Sequence, residues 1–224
     1  MFLMGFTEKL VRQCRKPQGF LGRFIGRAMN AGHAKVRRWG LGYVSSESYV
    51  AVLDVGCGGG AAIRDMASMY PSANLYGIDY SQDMVLLARK VNRGLIVKGR
   101  IGISQGSVSF LPFSDNTFDL VTAFEAYYFW PDIDRDLQEI KRVLRPGGTL
   151  LLANEVYEND KFRERNRKWA AWADMHLHSP AEYWEFLRKA GYEAIEVHEF
   201  VKNNWIAAVG KKAELPSRGR PNDH

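Results

Sequence analysis

The densest chemistry in the 224-residue chain is the run Asp54-Val55-Gly56-Cys57-Gly58-Gly59-Gly60. Glycines that follow a strand let the backbone approach a ligand closely and leave the N–H groups of the next helix free to meet it. Gly56, Gly58 and Ala61 satisfy the dinucleotide pattern G-x-G-x-x-G/A. Asp54 argues against a pyrophosphate there, because a carboxylate two residues before the first glycine repels phosphate and suits an ammonium. Asp79, in Gly77-Ile78-Asp79-Tyr80-Ser81, ends the next β-rich run. A carboxylate at that place can accept both hydroxyls of a ribose; an acid that merely favours a helix dipole is the competing reading. Tyr80 beside it can stack on an adenine or simply pack. No core contact of the Asp79 side chain is legible, so its removal is expected to leave the fold intact.

A second group of candidates follows the fourth β-rich run: Glu125, Tyr127 and Tyr128, with His33, His176 and His178 from elsewhere. Each can move a proton, and each taken singly also reads as packing or surface. The run Tyr127-Tyr128-Phe129-Trp130 can wall an apolar or aromatic site and lend ring faces to a cation, or serve as ordinary core. Cys57 reads as a small packing residue. Only Cys14 and Cys57 are present, so no disulfide framework or zinc spacing arises.

These residues need a scaffold that brings strand ends together. From Tyr49 the chain alternates short β-rich runs with helical stripes. Strands are expected at 49–55, 74–78, 100–104, 118–124 and 149–153. Helices are expected at 60–70, from Ser81 with the stripe Met84, Leu87, Ala88 and Val91, and at 132–144, stopped by Arg145-Pro146-Gly147-Gly148. Ser179-Pro180-Ala181-Glu182 is a capping box opening a last helix, which ends at Gly191. Runs 192–200 and 205–209 read as an antiparallel hairpin. The whole is a doubly wound α/β fold: a seven-stranded, mostly parallel, Rossmann-like sheet with a C-terminal antiparallel hairpin and an N-terminal helical cap. The expected division is a basic cap over 1–44, a ligand-binding domain over 45–212 with a lid or substrate insertion at 155–178, and a frayed tail over 213–224.

The segments LDVGCGGG (53–60), GIDYS (77–81), LPFSDNTFDLVTAFEAYYFW (111–130) and LQEIKRVLRPGGTLLLANE (137–155) together resemble the motif series of class I S-adenosylmethionine-dependent methyltransferases. They are most similar to the methyltransferase type 11 group and the ubiquinone/menaquinone C-methyltransferases. The resemblance covers about residues 48–154, and the hairpin more weakly. It implies S-adenosylmethionine as cofactor, S-adenosylhomocysteine as product and transfer by direct in-line displacement. It further implies that Asp54, Gly56, Cys57 and Gly58 surround the methionine part, that Asp79 holds the ribose, and that Tyr80 and Met84 lie against the adenine. Phe124 and Glu125 would end a strand beside the reacting methyl. Gln105-Gly106-Ser107-Val108 matches a loop that usually reads G-D-A and offers an acid to the adenine. Ser107 stands at the acid's place, so that contact weakens or passes to the Val108 backbone.

Charge is unevenly placed. The net charge is +6, yet residues 1–40 hold nine Lys/Arg against one Glu, so the rest of the chain is slightly acidic. Residues 20–29, FLGRFIGRAM, repeat apolar pairs every four residues with Arg23 and Arg27 between them, an amphipathic helix. It is read as a lid over the cofactor that brings Asn30, His33 and Arg37 to the cofactor carboxylate, with a membrane-surface helix or an RNA-binding arm as alternatives. No run is long and apolar enough to span a membrane and no signal core is evident, so a cytoplasmic protein is expected. The leading function is methyl transfer to a small-molecule acceptor, aromatic or apolar. The alternatives are an RNA-directed methyltransferase and a non-catalytic cofactor-binding protein.

Overall fold

The computed structural model describes residues 31–44 and 48–214. The amphipathic run 20–29, Asn30 and Cys14 lie outside these residues, as does most of the expected tail. Within them, α1 (Ala34–Leu41) precedes β1 (Ala51–Val55), α2 (Ala61–Met69), β2 (Asn74–Asp79), α3 (Gln82–Val91), α4 (Arg93–Val97) and β3 (Ile101–Gln105). Next come β4 (Phe118–Phe124), a 3-10 turn (Tyr127–Phe129), α5 (Ile133–Val143) and β5 (Leu144–Asn154). The chain ends with α6 (Arg163–Ala173), α7 (Pro180–Lys189), β6 (Tyr192–Phe200) and β7 (Trp205–Lys212).

The seven strands form one sheet in the order β3-β2-β1-β4-β5-β7-β6. The first five are parallel and β7 runs antiparallel to both β5 and β6. Parallel strands covered on both faces must be apolar on both sides, and β1 is buried along its whole length. Leu53 and Val55 join one core with Leu137, Ile140 and Val143 of α5 and Leu187 of α7. Val52 joins the other with Ile63 and Met66 of α2, Val85 and Ala88 of α3 and Leu41 of α1. At Gly40, α1 presses so near β5 that an added Cβ would stand 2.8 Å from the Ala153 Cβ. The order of connection reverses between β1 and β4. Ligands of doubly wound sheets sit at that switch point, beyond the carboxyl ends of the strands.

Several boundaries differ from the sequence expectation, and β1 begins at Ala51 rather than Tyr49. β5 begins at Leu144 rather than Thr149, because Leu144 pairs with Phe118 and a register shift before Leu120 absorbs the extra residues. Gly147 takes the left-handed backbone that permits this (φ +75°), and the Arg145 guanidinium reaches the Asp119 carboxylate at 2.7 Å. β7 runs on to Lys212, whose ammonium donates to the Lys141 and Leu144 carbonyls, so a charged end is held inside the ladder. β3 starts one residue late, at Ile101, and ends one late, at Gln105. The Ser179–Glu182 capping box forms as expected. Among the described residues no helix is long and apolar enough to cross a membrane.

Candidate active site

The glycine run forms a tight turn from β1 into α2. Gly56, Gly58 and Gly60 all hold positive φ (73°, 49° and 77°), a conformation that L side chains resist. Gly60 is also hemmed in: a Cβ there would meet Asn92 Nδ2 at 2.5 Å and Ala88 Cβ at 2.9 Å. At Gly58 a Cβ would meet nothing within 4 Å, so this glycine faces open space. That space is a cavity of about 320 Å³ over the carboxyl ends of β1, β2 and β4.

Asp79 closes the turn. Its Oδ2 accepts from the Gly58 N–H and its Oδ1 from the Ser81 N–H, both at 2.8 Å. Asp79 therefore does support the fold, contrary to the sequence expectation, since it ties the glycine turn to the start of α3. Each carboxylate oxygen keeps a second lone pair for a ligand. Burial raises the Asp79 carboxyl above the usual carboxylate range, and the two N–H bonds oppose that rise. Asp54, wholly buried at the cavity floor, is pushed up to about 7 by burial, against a 2.8 Å hydrogen bond donated by the Thr122 hydroxyl. Burial drives the Cys57 thiol well up, so Cys57 stays a neutral packing residue rather than a nucleophile.

A charged cluster lies across the cavity. Arg37 of α1 is buried, and its guanidinium meets Asp65 at 3.0 Å. Its positive charge favours the ionised forms of Asp54, Glu125 and Glu155. Burial lowers the His33 imidazole, one residue before α1, below its ordinary range, with the Arg37 charge adding to that and Glu155 opposing it. Glu125 follows β4 with a left-handed backbone (φ +55°). Its carboxylate accepts from the Tyr128 hydroxyl at 2.6 Å and from the Glu155 N–H at 2.5 Å.

All ten residues read from the sequence as cofactor ligands border this one cavity: Asp54, Gly56, Cys57, Gly58, Asp79, Tyr80, Met84, Ser107, Val108 and Phe124. Of the proton-transfer candidates, Glu125 and His33 border it, while Tyr128 stands behind Glu125. Tyr127, His176 and His178 lie elsewhere. Tyr127 lies tilted against Tyr183 and edge-on to His178 (ring centres 4.6 and 5.6 Å), and the His176 backbone N–H donates to the Tyr128 carbonyl. The aromatic run thus splits: Phe129 and Trp130 border the cavity, and Tyr127 packs into the core. The Ser107 hydroxyl is engaged in its own turn, accepting from the Ser109 N–H at 3.2 Å. Sequence reading missed Thr122, Asn92 and Glu155. Thr122 carries a signal, a hydroxyl amid an otherwise apolar strand. Glu155 carries one too, as the first residue past the carboxyl end of β5. Asn92, which donates to the Gly60 and Ala88 carbonyls, has no signal short of the fold.

Residues 53–152 match the family model described as a methyltransferase domain. The chain carries a methyltransferase domain. Among curated relatives, the demethylmenaquinone methyltransferase of Lactobacillus johnsonii is 40% identical over 97 residues, 43% of this chain and 40% of that one. The O-methyltransferase cnsE of Penicillium expansum is 31% identical over 155 residues, 68% of this chain and 55% of that one. This chain therefore spans about half, or less, of the length of these relatives. Among solved structures, the methyltransferase bound to the Trm112 activator of Haloferax volcanii aligns with a TM-score of 0.73 and 25% identity, over 84% of this chain and 94% of that one.

The residues that border the cavity fit S-adenosylmethionine, the cofactor that the sequence resemblance implies. Asp54 offers a carboxylate to an ammonium, Asp79 has free lone pairs for hydroxyls, and Arg37 offers a buried guanidinium to a carboxylate. Gly58 leaves open the space that a side chain would fill.

Proposed function

We propose that this protein is a methyltransferase that holds S-adenosylmethionine in the cavity between the glycine turn and Arg37 and methylates a small acceptor, aromatic or apolar. One observation carries the reading: two buried carboxylates, Asp54 and Asp79, and one buried guanidinium, Arg37, border the same cavity as the open face of Gly58. That charge pattern complements a ligand bearing an ammonium, a ribose and a carboxylate, and it is wrong for a dinucleotide pyrophosphate. When bound, the cofactor supplies a methyl group on an activated sulfonium.

The chain's own residues then have little covalent work to do. Asp79 and Arg37 fix the two ends of the ligand, and fixing the reacting geometry supplies much of the rate enhancement in such a transfer. The buried Asp54, held from behind by the Thr122 hydroxyl, keeps bulk water from one side. Met84 and Val108, both almost fully buried, offer apolar contact to a flat base, with Tyr80 at the rim. Phe129, Trp130 and Pro131 form the acceptor side, an apolar and aromatic surface suited to a small acceptor. The segment 155–178 is proposed to close over the bound ligands; the lid read from the sequence at residues 20–29 lies outside the described residues. The test is a screen with methyl-labelled cofactor against quinones, phenols, lipids and tRNA. Label should pass to a small acceptor; transfer to tRNA alone would replace this reading with an RNA-directed one.

A further inference from the structure

Glu125 is not explained by the turn it occupies. A non-glycine residue at φ +55° sits in a backbone region that costs about 1–3 kcal/mol and persists where its surroundings hold it. Glycine or asparagine would make the same turn more easily. The glutamate instead places a carboxyl on the cavity wall beside Phe129 and Trp130. Tyr128 and the Glu155 N–H each donate to one of its oxygens, and both oxygens keep a lone pair free. Among the described residues no Lys, Arg or His forms an ion pair with it.

Resting on the methyltransferase reading above, we propose that Glu125 takes the proton of the methyl acceptor, that Tyr128 is its positioning residue, and that the acceptor is a flat, neutral molecule with an ionisable O–H, a phenol or an enol. The surroundings select that class. An anionic acceptor meets two carboxyls, Glu125 and Glu155. An amine placed between them is stabilised as the ammonium, which has no lone pair with which to attack. A phenol gains the aromatic wall and a base. The O–H proton passes to a Glu125 oxygen, the freed oxygen pair forms the new bond to the methyl carbon, and the carbon–sulfur pair returns to sulfur. Glu125 then gives its proton to solvent.

The electrostatics agree with that task. Burial pushes the Glu125 carboxyl up to about 7, while the Tyr128 hydroxyl, the Glu155 N–H and the Arg37 charge favour its ionised form. The other groups facing it are Glu155, whose own carboxyl is raised by burial and by Glu125, and the buried Tyr183 phenol. A base that titrates near neutrality is half ready at working pH.

The experiment uses two probes, 4-methylphenol, un-ionised in neutral buffer, and pentafluorophenol, which is already ionised there. Glu125→Gln should slow methylation of 4-methylphenol by roughly 10²–10⁴-fold, the range of general-base catalysis. It should affect pentafluorophenolate far less and leave S-adenosylhomocysteine affinity unchanged by calorimetry. For 4-methylphenol, kcat/KM of the parent should rise with pH and level off above about 7, and Tyr128→Phe should move that limb to higher pH. In the ligand-free protein, the protonated-carboxyl infrared absorption that titrates in the same range should lose the Glu125 component in Glu125→Gln and keep the Asp54 component, which Asp54→Asn removes. Equal losses on both phenols, no loss on either, or a preference for benzylamine over both would overturn the proposal. So would failure of a protein that binds S-adenosylhomocysteine to methylate any phenol. An unmoved limb in Tyr128→Phe would remove Tyr128 from it. Failure to bind S-adenosylhomocysteine at all is a different result, and it overturns the methyltransferase reading instead.

Discussion

Asp79 and Glu125 stand at the carboxyl ends of β2 and β4, on two sides of one cavity. Both are nearly buried, at 6% and 9% exposure, and each accepts one hydrogen bond on each oxygen. Their partners differ in origin. Asp79 is held by the backbone N–H groups of Ser81, two residues on, and of Gly58, in the glycine turn after the neighbouring strand. Glu125 is held by a tyrosine hydroxyl and by the N–H of Glu155, which arrives from the end of another strand. The cofactor half of the site is therefore built from the backbone N–H groups of two turns, and the acceptor half from a side-chain hydroxyl and the end of a third strand. A fold can keep the first half constant while the second half varies with the acceptor.

If the cofactor half is a preformed backbone cradle, disturbing its packed glycine should have the largest effect. Gly60→Ala combines left-handed backbone strain with a Cβ forced against Asn92 and Ala88. Together these should cost about 2–5 kcal/mol of stability. Gly58→Ala adds only the strain, about 1–2 kcal/mol. Urea unfolding of the two variants separates them, and equal losses would mean that close packing is not what sets this turn.

Next comes Asp79→Ala, which should weaken S-adenosylhomocysteine binding roughly ten- to a hundredfold, because hydrogen bonds to a charged group contribute about 1.5–3 kcal/mol. Methionine alone, which has no ribose, should lose much less. Because Asp79 also ties Gly58 to Ser81, the melting temperature should fall as well. Calorimetry and a circular dichroism melt read the two effects separately, and unchanged affinity would remove the ribose assignment.

A smaller effect is expected from pH. Asp54 and Glu125 have folded pKa values raised to about 7, above the ordinary carboxylate range of about 4 in the unfolded chain. Between these values the folded state binds more protons than the unfolded state, so stability falls as pH rises from about 4 towards 7 and levels off beyond. Melting temperatures across that range should decline in the parent and flatten in Asp54→Asn and in Glu125→Gln. An ammonium beside Asp54 favours its ionised form. Ligand binding near neutral pH should therefore release protons, measurable by titration in buffers of different ionisation heat. The smallest effect is expected at Ser107, which is exposed and whose hydroxyl accepts from the Ser109 N–H in its own turn. Ser107→Ala should change cofactor affinity by less than about threefold, since surface hydrogen bonds contribute little; a larger loss would put Ser107 in direct contact with the adenine.

The same division explains what could be read before the fold was known. The strand ends, the glycine turn and Asp79 were legible because period and turn chemistry are local, and the seven-stranded sheet followed from the alternation of strands and helices. The start of β5 was missed because Arg145-Pro146-Gly147-Gly148 carries a helix-stop signal, while the pairing of Leu144 with Phe118 is a long-range fact. The structural share of Asp79 was missed because Gly58 donates to it across the gap between two strands. Tyr127 and Tyr128 were indistinguishable in sequence, although one packs on Tyr183 and the other bonds Glu125. Glu155 carries a signal in its place just past β5, but its bond to Glu125 shows only once β5 lies beside β4.

The central claim is that the cavity between Asp54, Asp79 and Arg37 is built for the cofactor of methyl transfer and not for a dinucleotide. Calorimetric titration of the full chain with S-adenosylhomocysteine and, separately, with NAD tests it most directly. Saturable binding of S-adenosylhomocysteine at one site per chain, with NAD far weaker, is the expected result; tighter binding of NAD, or no binding of S-adenosylhomocysteine, would contradict it.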